Sequence, residues 1–249
     1  MSDPLLPGGT SASHLRVYDW PAADAPGGSG SPHLHTVASE AYVVTAGAGA
    51  VQTLSADGYA ERPLEPGRVV WFTPGVVHRL VNHGGLELVV LMSDAGLPEA
   101  GDAVLTFPPA VLADPDAYRA AATLPAAGAG AGASSDSLLA VAARARRDLA
   151  LEGYLALRDA VVADGPGALA PLHAAAARLV GPRLPGWAEA PAVVAAAGAT
   201  TAALAALVAG GADAVAHLAA GTVAERDALP GPRRYGMCGR LRQWSVPTA

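Results

Sequence analysis

The apolar periodicity of this 249-residue chain changes once, near Leu124, and that change limits the folds open to it. From about His14 to Phe107 the apolar residues fall in short runs: AYVVTAG, AVQTL, RVVWFTP, HRLVN and LELVVLMS. Runs of this length, rich in Val, Leu and aromatics and bounded by turn formers, read as β-strands rather than helices. Ala46-Gly47-Ala48-Gly49, Ala56-Asp57-Gly58 and Glu65-Pro66-Gly67 supply the turns. Several short strands at close spacing predict an antiparallel sandwich or barrel over residues 1–124.

Beyond that point PAAGAGAGASSD, residues 125–136, has the low-complexity Ala/Gly/Ser composition of a flexible linker. Residues 137–249 then form an Ala-rich helical region with an Arg-rich tail. Its first helix carries Leu138, Val141, Ala142, Ala145 and Leu149 on one face and its arginines mainly off that face. Gly153 weakens this helix and Gly165-Pro166 ends it, with further helices expected over 168–180, 191–208 and 213–220. The stretch 190–212 is uncharged and long enough to span a bilayer, but Ala, Gly and Thr dominate it. Such residues supply little transfer energy, so a soluble helix or helix pair is expected.

Charge narrows the partners. Residues 1–125 hold five Arg against thirteen Asp/Glu, a net of −8, and the remainder eleven Arg against nine acids, a net of +2. No broad basic face exists for nucleic acid, and no lysine is present at all. The one cysteine, Cys238, excludes an internal disulfide and a thiolate zinc cluster. The start, MSDPLLPGGTS, lacks the basic-then-apolar pattern of a signal peptide, and a cytoplasmic location is expected.

The chemistry concentrates in SPHLHTVASEAYVV, residues 31–44. On a strand, residues two apart share a face, so His33 and His35 project together and Leu34 points away. Glu40 has the opposite parity and joins that face only if residues 36–39 bend. A further histidine, His78, begins a strand just after the tight turn at Pro74-Gly75. Three imidazoles and one carboxylate suit a divalent transition metal: Fe(II), Mn(II), Ni(II), Cu(II) or Zn(II).

These residues sit in two motifs that resemble those of the cupins. Gly27, His33, His35, Glu40 and Gly47 match every position of the first motif. Gly67, Gly75, His78 and Asn82 match the second, with Thr73 where its first proline is usual. That departure touches turn stiffness, not ligation. The resemblance covers roughly residues 10–110 and implies an antiparallel jelly-roll barrel. It also implies one metal per chain, held inside by His33, His35, Glu40 and His78, and a homodimer.

If Glu40 faces inward, strand parity brings Tyr42 and Val44 with it. Glu40, detaching as a base, and Tyr42, as a proton donor, are the candidate catalytic residues. Gln52, Phe72 and Met92 are further candidates for the pocket wall. His83 should face opposite to His78, and His14, His173 and His217 are expected at the surface or in ordinary packing. The tail RRYGMCGRLRQW reads either as an anion or subunit contact or as an extension draped over the barrel. Cys238 within it is a reactive thiol only if exposed.

The fold implied hosts many chemistries. A metal-dependent oxygenase acting on a small organic substrate leads. A metal-assisted isomerase, epimerase or lyase is the second reading, weakened for sugar phosphates because Arg68 and Arg79 are the only barrel arginines near the motifs. A ligand-binding module without catalysis is the third.

Overall fold

The computed structural model describes residues 6–93, 96–125, 133–220, 223–225 and 227–244. Strand β1 (Ser11–Val17) is followed by β2 (His33–His35), β3 (Glu40–Ser55), β4 (Gly58–Leu64), β5 (Val69–Phe72), β6 (Val77–Met92) and β7 (Ala103–Leu105). Helices α1 (Pro109–Ala113), α2 (Pro115–Ala122), α3 (Ala133–Asp164), α4 (Ala170–Val180), α5 (Leu184–Ala188), α6 (Pro191–Ala209) and α7 (Gly211–Ala219) come next. Strands β8 (Arg234–Tyr235) and β9 (Gly239–Gln243) close the chain's described part.

All pairings are antiparallel, in the order β4-β3-β6-β1-β9-β8, with β5 on β3 and β2 between β6 and β7. This is the expected jelly-roll-like barrel with helices behind it. Runs that read as separate strands are joined: AYVVTAG and AVQTL are one 16-residue strand, and HRLVN and LELVVLM another. Register shifts between Val44 and Gly49 bend the pair without breaking it. Gly47 makes the bend possible: its φ is 72° and a Cβ there would strike the Gly85 carbonyl.

Two apolar cores lie on the two sides of the barrel wall. Inside, Leu15, Tyr42, Val44, Val51, Phe72, Leu80, Leu88 and Val90 pack together. Outside, Leu34, Leu54, Val77 and Leu105 meet Ala150, Leu151, Tyr154, Leu172 and Trp187 of the helices. Strand parity therefore sends Leu34 to the helices and its histidine neighbours inward, as its alternation predicts.

Helix α3 turns a different face to the barrel from the one its apolar pattern suggests. Leu138 and Val141 are 68 % and 67 % exposed, whereas Ala143, Arg146, Arg147, Ala150, Leu151 and Tyr154 are buried. Small alanines let the helix approach closely, and Gly153 allows contact with the backbone at Thr106 and Phe107, so it serves packing. The helix runs unbroken through it to Asp164. Arg147 fills the remaining need by donating to the carbonyls of Trp20, Ser29 and Pro21.

Residues 126–132 of the expected linker lie outside the described residues, and α3 begins at Ala133. The uncharged stretch forms α6 and α7, a helix pair. Among the described residues no single helix is long and apolar enough to cross a membrane. The Arg-rich tail rejoins the sheet: β9 pairs with β1, covering an edge that would otherwise expose unpaired N–H and C=O groups.

Candidate metal centre

The bend needed to bring Glu40 round to the histidines is built by one buried carboxylate. Asp102 accepts hydrogen bonds from the backbone of Thr36 (2.9 Å), Val37 (2.7 Å) and Ala38 (3.0 Å), and from the Thr36 hydroxyl. Its other role is to accept from His35 Nδ1 at 3.1 Å. Burial alone would raise its pKa, but the bonds from His35, Thr36 and Ala38 hold it down at about 2. Asp102 thus shapes the loop and orients His35 together.

The other two histidines are held in the same way. His33 Nδ1 donates to Ser31 O (2.9 Å) and His78 Nδ1 to Val76 O (3.1 Å). When the rings are neutral with their protons on Nδ1, the three Nε2 lone pairs face inward. His78 Nε2 lies 3.1 Å from His33 Nε2 and 3.0 Å from Glu40 Oε2, and His35 Nε2 is 3.4 Å from the same oxygen. One donor atom from each of His33, His35, Glu40 and His78 lies within 4.8 Å of the others, and all four residues are buried. Phe72 stacks on the His78 ring at 4.5 Å and Tyr42 meets Phe72 edge-on, which restricts the imidazole further.

This set fits a cation. Two Nε2 lone pairs 3.1 Å apart repel unless something positive lies between them, and Glu40 Oε2 is buried without a well-directed hydrogen bond. Burial would raise the Glu40 pKa, yet His78 and His35 hold it well below the carboxylate range. Burial and the neighbouring rings His78 and His35 lower that of His33. Burial also lowers that of His35, but Asp102 and Glu40 prevail and raise it to about 9. Either a proton or a metal ion resolves the conflict.

A cavity of about 380 Å³ opens onto the cluster and is lined by His33, His35 and Glu40. Its remaining wall joins β1 (Ser11, Ser13, Leu15), β6 (Val90, Met92), the tail (Tyr235, Met237, Cys238, Leu241, Gln243) and Arg146 of α3. Tyr42 lies against the cluster, fully buried, its hydroxyl without a partner. Burial, then Glu40, pushes the Tyr42 hydroxyl far up, and the same causes push up the buried Cys238 thiol. Cys238 therefore lacks the exposure and thiolate character of a reactive cysteine.

The other expected positions divide. Met92 lines the cavity and Phe72 supports His78, but Gln52 faces the helices, bonded to Arg79, Tyr154 and Glu61. His83 and His217 are exposed. His14 pairs with Glu87 at 2.8 Å, and His173 reaches Gly75 O at 3.0 Å. Arg79 is buried on the outer side, paired with Asp24, so it does not serve the cavity. Sequence reasoning missed Asp102 and Arg146. Of its two readings of the tail, the extension over the barrel fits β9 on β1, but the tail's place in the cavity wall was not foreseen. The alternation of Gly239-Arg240-Leu241-Arg242-Gln243 was a legible strand signal, while Asp102 and Arg146 are brought in only by tertiary contacts.

Residues 23–94 match the family model described as Cupin domain, so the barrel of this chain is a cupin domain. The matched stretch contains all four clustered residues. No curated protein matches the chain. Among solved structures it is similar to the WlaRB TDP-quinovose 3,4-ketoisomerase from Campylobacter jejuni: 16 % identity over 37 % of this chain and 67 % of that one, TM-score 0.32. It is similar to an uncharacterized conserved protein with a double-stranded beta-helix domain from Klebsiella pneumoniae: 16 %, over 33 % and 62 %, TM-score 0.24. An oxalate oxidase in complex with the substrate analogue glycolate aligns at 25 % over 35 % and 51 %, TM-score 0.25. The chain thus spans from about half to two thirds of the length of these relatives.

Proposed function

We propose that this cupin binds one divalent transition metal through His33, His35, Glu40 and His78 and acts as a metal-dependent oxygenase on a small organic molecule. The observation that carries it is the convergence of four buried ligand atoms beside a cavity of small-molecule size. When bound, the ion supplies Lewis acidity or one-electron chemistry. The chain's own residues do the rest. Asp102, Ser31 O and Val76 O hold the imidazoles in the tautomer that ligates. Leu15, Val90, Met92 and Leu241 keep the cavity wall apolar and limit competing water. Tyr42, kept protonated, packs against Phe72 and His78 behind the cluster rather than in the cavity wall, so as a proton donor it would act from the cluster side.

The chemistry of the wall favours this reading over an isomerase or lyase, which needs a base in addition to the ligands. Tyr42 and Cys238 are held protonated, and Glu40 is itself a ligand. No further carboxylate or histidine lines the cavity among the described residues. The test is elemental analysis of untagged protein purified without oxygen and without added metal, followed by dioxygen uptake with candidate substrates. About one Fe, Mn, Ni or Cu per chain with uptake supports the proposal. Zinc at that level moves the reading to Lewis-acid chemistry, and a chain that refuses every metal overturns it.

We also propose that two chains pair through the outer sheet face. Trp71, 71 % exposed, Val69 and Leu91 are exposed there, and Ala41 pairs with both Trp71 and Leu91. Sedimentation should give a dimer, and W71R a monomer.

A further inference from the structure

Among the described residues three arginines are more than nine-tenths buried, and they differ in how their charge is met. Arg79 forks onto Asp24 with two bonds of 2.8 Å and donates from Nε to Ser29 Oγ. Arg147 binds three backbone carbonyls and the Asp148 carboxylate at 2.6 Å. Arg146, one residue away on α3, donates among the described residues only to Ala122 O (3.1 Å) and Gly236 O (2.7 Å). No carboxylate pairs with it among the described residues, and its Nε–H is buried without a partner. Buried charges are ordinarily paired, because an isolated one is costly to desolvate. Arg146 also lines the cavity that His33, His35 and Glu40 line.

We propose that Arg146 is the anion-holding residue of this cavity and that the ligand is a small monocarboxylate with an apolar body. The two carbonyl bonds use two of the five guanidinium N–H groups, leaving Nε–H and one on each terminal nitrogen. Two adjacent N–H groups of a guanidinium match the two oxygens of a planar carboxylate. A single positive charge balances a single negative one, and the cavity has no lysine or second arginine to meet a phosphate's greater charge. Leu15, Val90, Met92 and Leu241 face the ligand's body. Burial already lowers the Arg146 pKa, against only weak opposition from Tyr18, Tyr118 and Cys238, in keeping with a cation that lacks a counter-ion. The proposal places the substrate of the metal centre in the same cavity and rests on that reading only to this extent.

The test is calorimetric titration of the full chain, metal-free, with hexanoate, its neutral isostere hexanamide, and hexyl phosphate. Hexanoate should bind once per chain, with hexanamide and hexyl phosphate at least about tenfold weaker. R146Q should weaken hexanoate by at least about tenfold and R146K by less, since lysine keeps the charge but loses the fork. Unchanged hexanoate binding by folded R146Q overturns the proposal, and so does phosphate or amide binding as tightly as hexanoate. The isostere comparison needs only wild-type protein, so it decides even if R146Q does not fold. Metal uptake is measured separately on wild type: its failure sinks the metal centre and leaves the Arg146 result standing.

Discussion

Two groups of buried polar side chains lie on opposite sides of the barrel wall, and they are built differently. On the helix side buried Arg79, Ser29, Gln52 and Tyr154, with the exposed Asp24 at their rim, form a network in which each donor finds an acceptor. On the inner side Glu40 Oε2 and the Tyr42 hydroxyl are buried without a well-directed hydrogen bond, the Arg146 Nε–H is buried without a partner, and two Nε2 atoms face each other. A satisfied network makes one docking of barrel on helices favourable, and nothing further is needed of it. Buried polar groups left unpaired cost stability, which makes the inner group the place to look for a bound partner. The contrast separates structure from function within one wall.

The comparison breaks or sharpens at named positions. The largest effect is expected inside: H33A or H78A should abolish metal retention through gel filtration, read by elemental analysis, with the fold kept. If metal stays at wild-type occupancy, the inner group is not a metal centre. Next comes the outer group, where D24A leaves Arg79 buried beside only Ser29 and Gln52. Urea unfolding should show a loss of about 2–4 kcal/mol, with metal content per folded chain unchanged. Equal metal loss in D24A would mean that the two sides are coupled.

Asp102 spans the distinction, because it both orients His35 and shapes the bend. D102N should weaken metal affinity by about 10–100-fold, measured by chelator competition. Protons compete in a direction set by His35, whose pKa is raised to about 9 in the metal-free chain. Below that value the ion must displace a proton, so affinity should rise about tenfold per pH unit from 7 toward 9 and then level off. In a D102N chain one of the two carboxylates sustaining that proton is gone, so the levelling should come at lower pH. The smallest effect is H83A: this exposed side chain faces away from the cluster, and metal affinity should not change. A loss equal to that of H33A would invert the assignment of the strand's faces.

Much of the inner group was legible before any fold was known, because it depends on spacing along strands. His33 and His35 share a face by period two, and Tyr42 and Val44 follow Glu40 inward for the same reason. The turn glycines are likewise local, whereas the register of His78 against His33 joins strands 45 positions apart and belongs to the tertiary structure. Periodicity failed on α3, where the more apolar face is not the buried one. An Ala-rich helix has a weak hydrophobic preference, and carbonyls of the barrel loops decided its rotation by taking Arg147.

What the sequence determined by itself was the strand-rich half, the change to helices and the shared face of His33 and His35, because each rests on neighbours a few residues apart and on the repeat of a strand. That Glu40 and His78 join them was implied by the family resemblance. Only the tertiary structure decided that Asp102 braces His35 across 67 positions, that the tail returns to cover β1, and that Arg146 reaches the cavity. Those contacts join residues far apart in the chain. Which of them form depends on how two packed layers meet, and no local pattern encodes that.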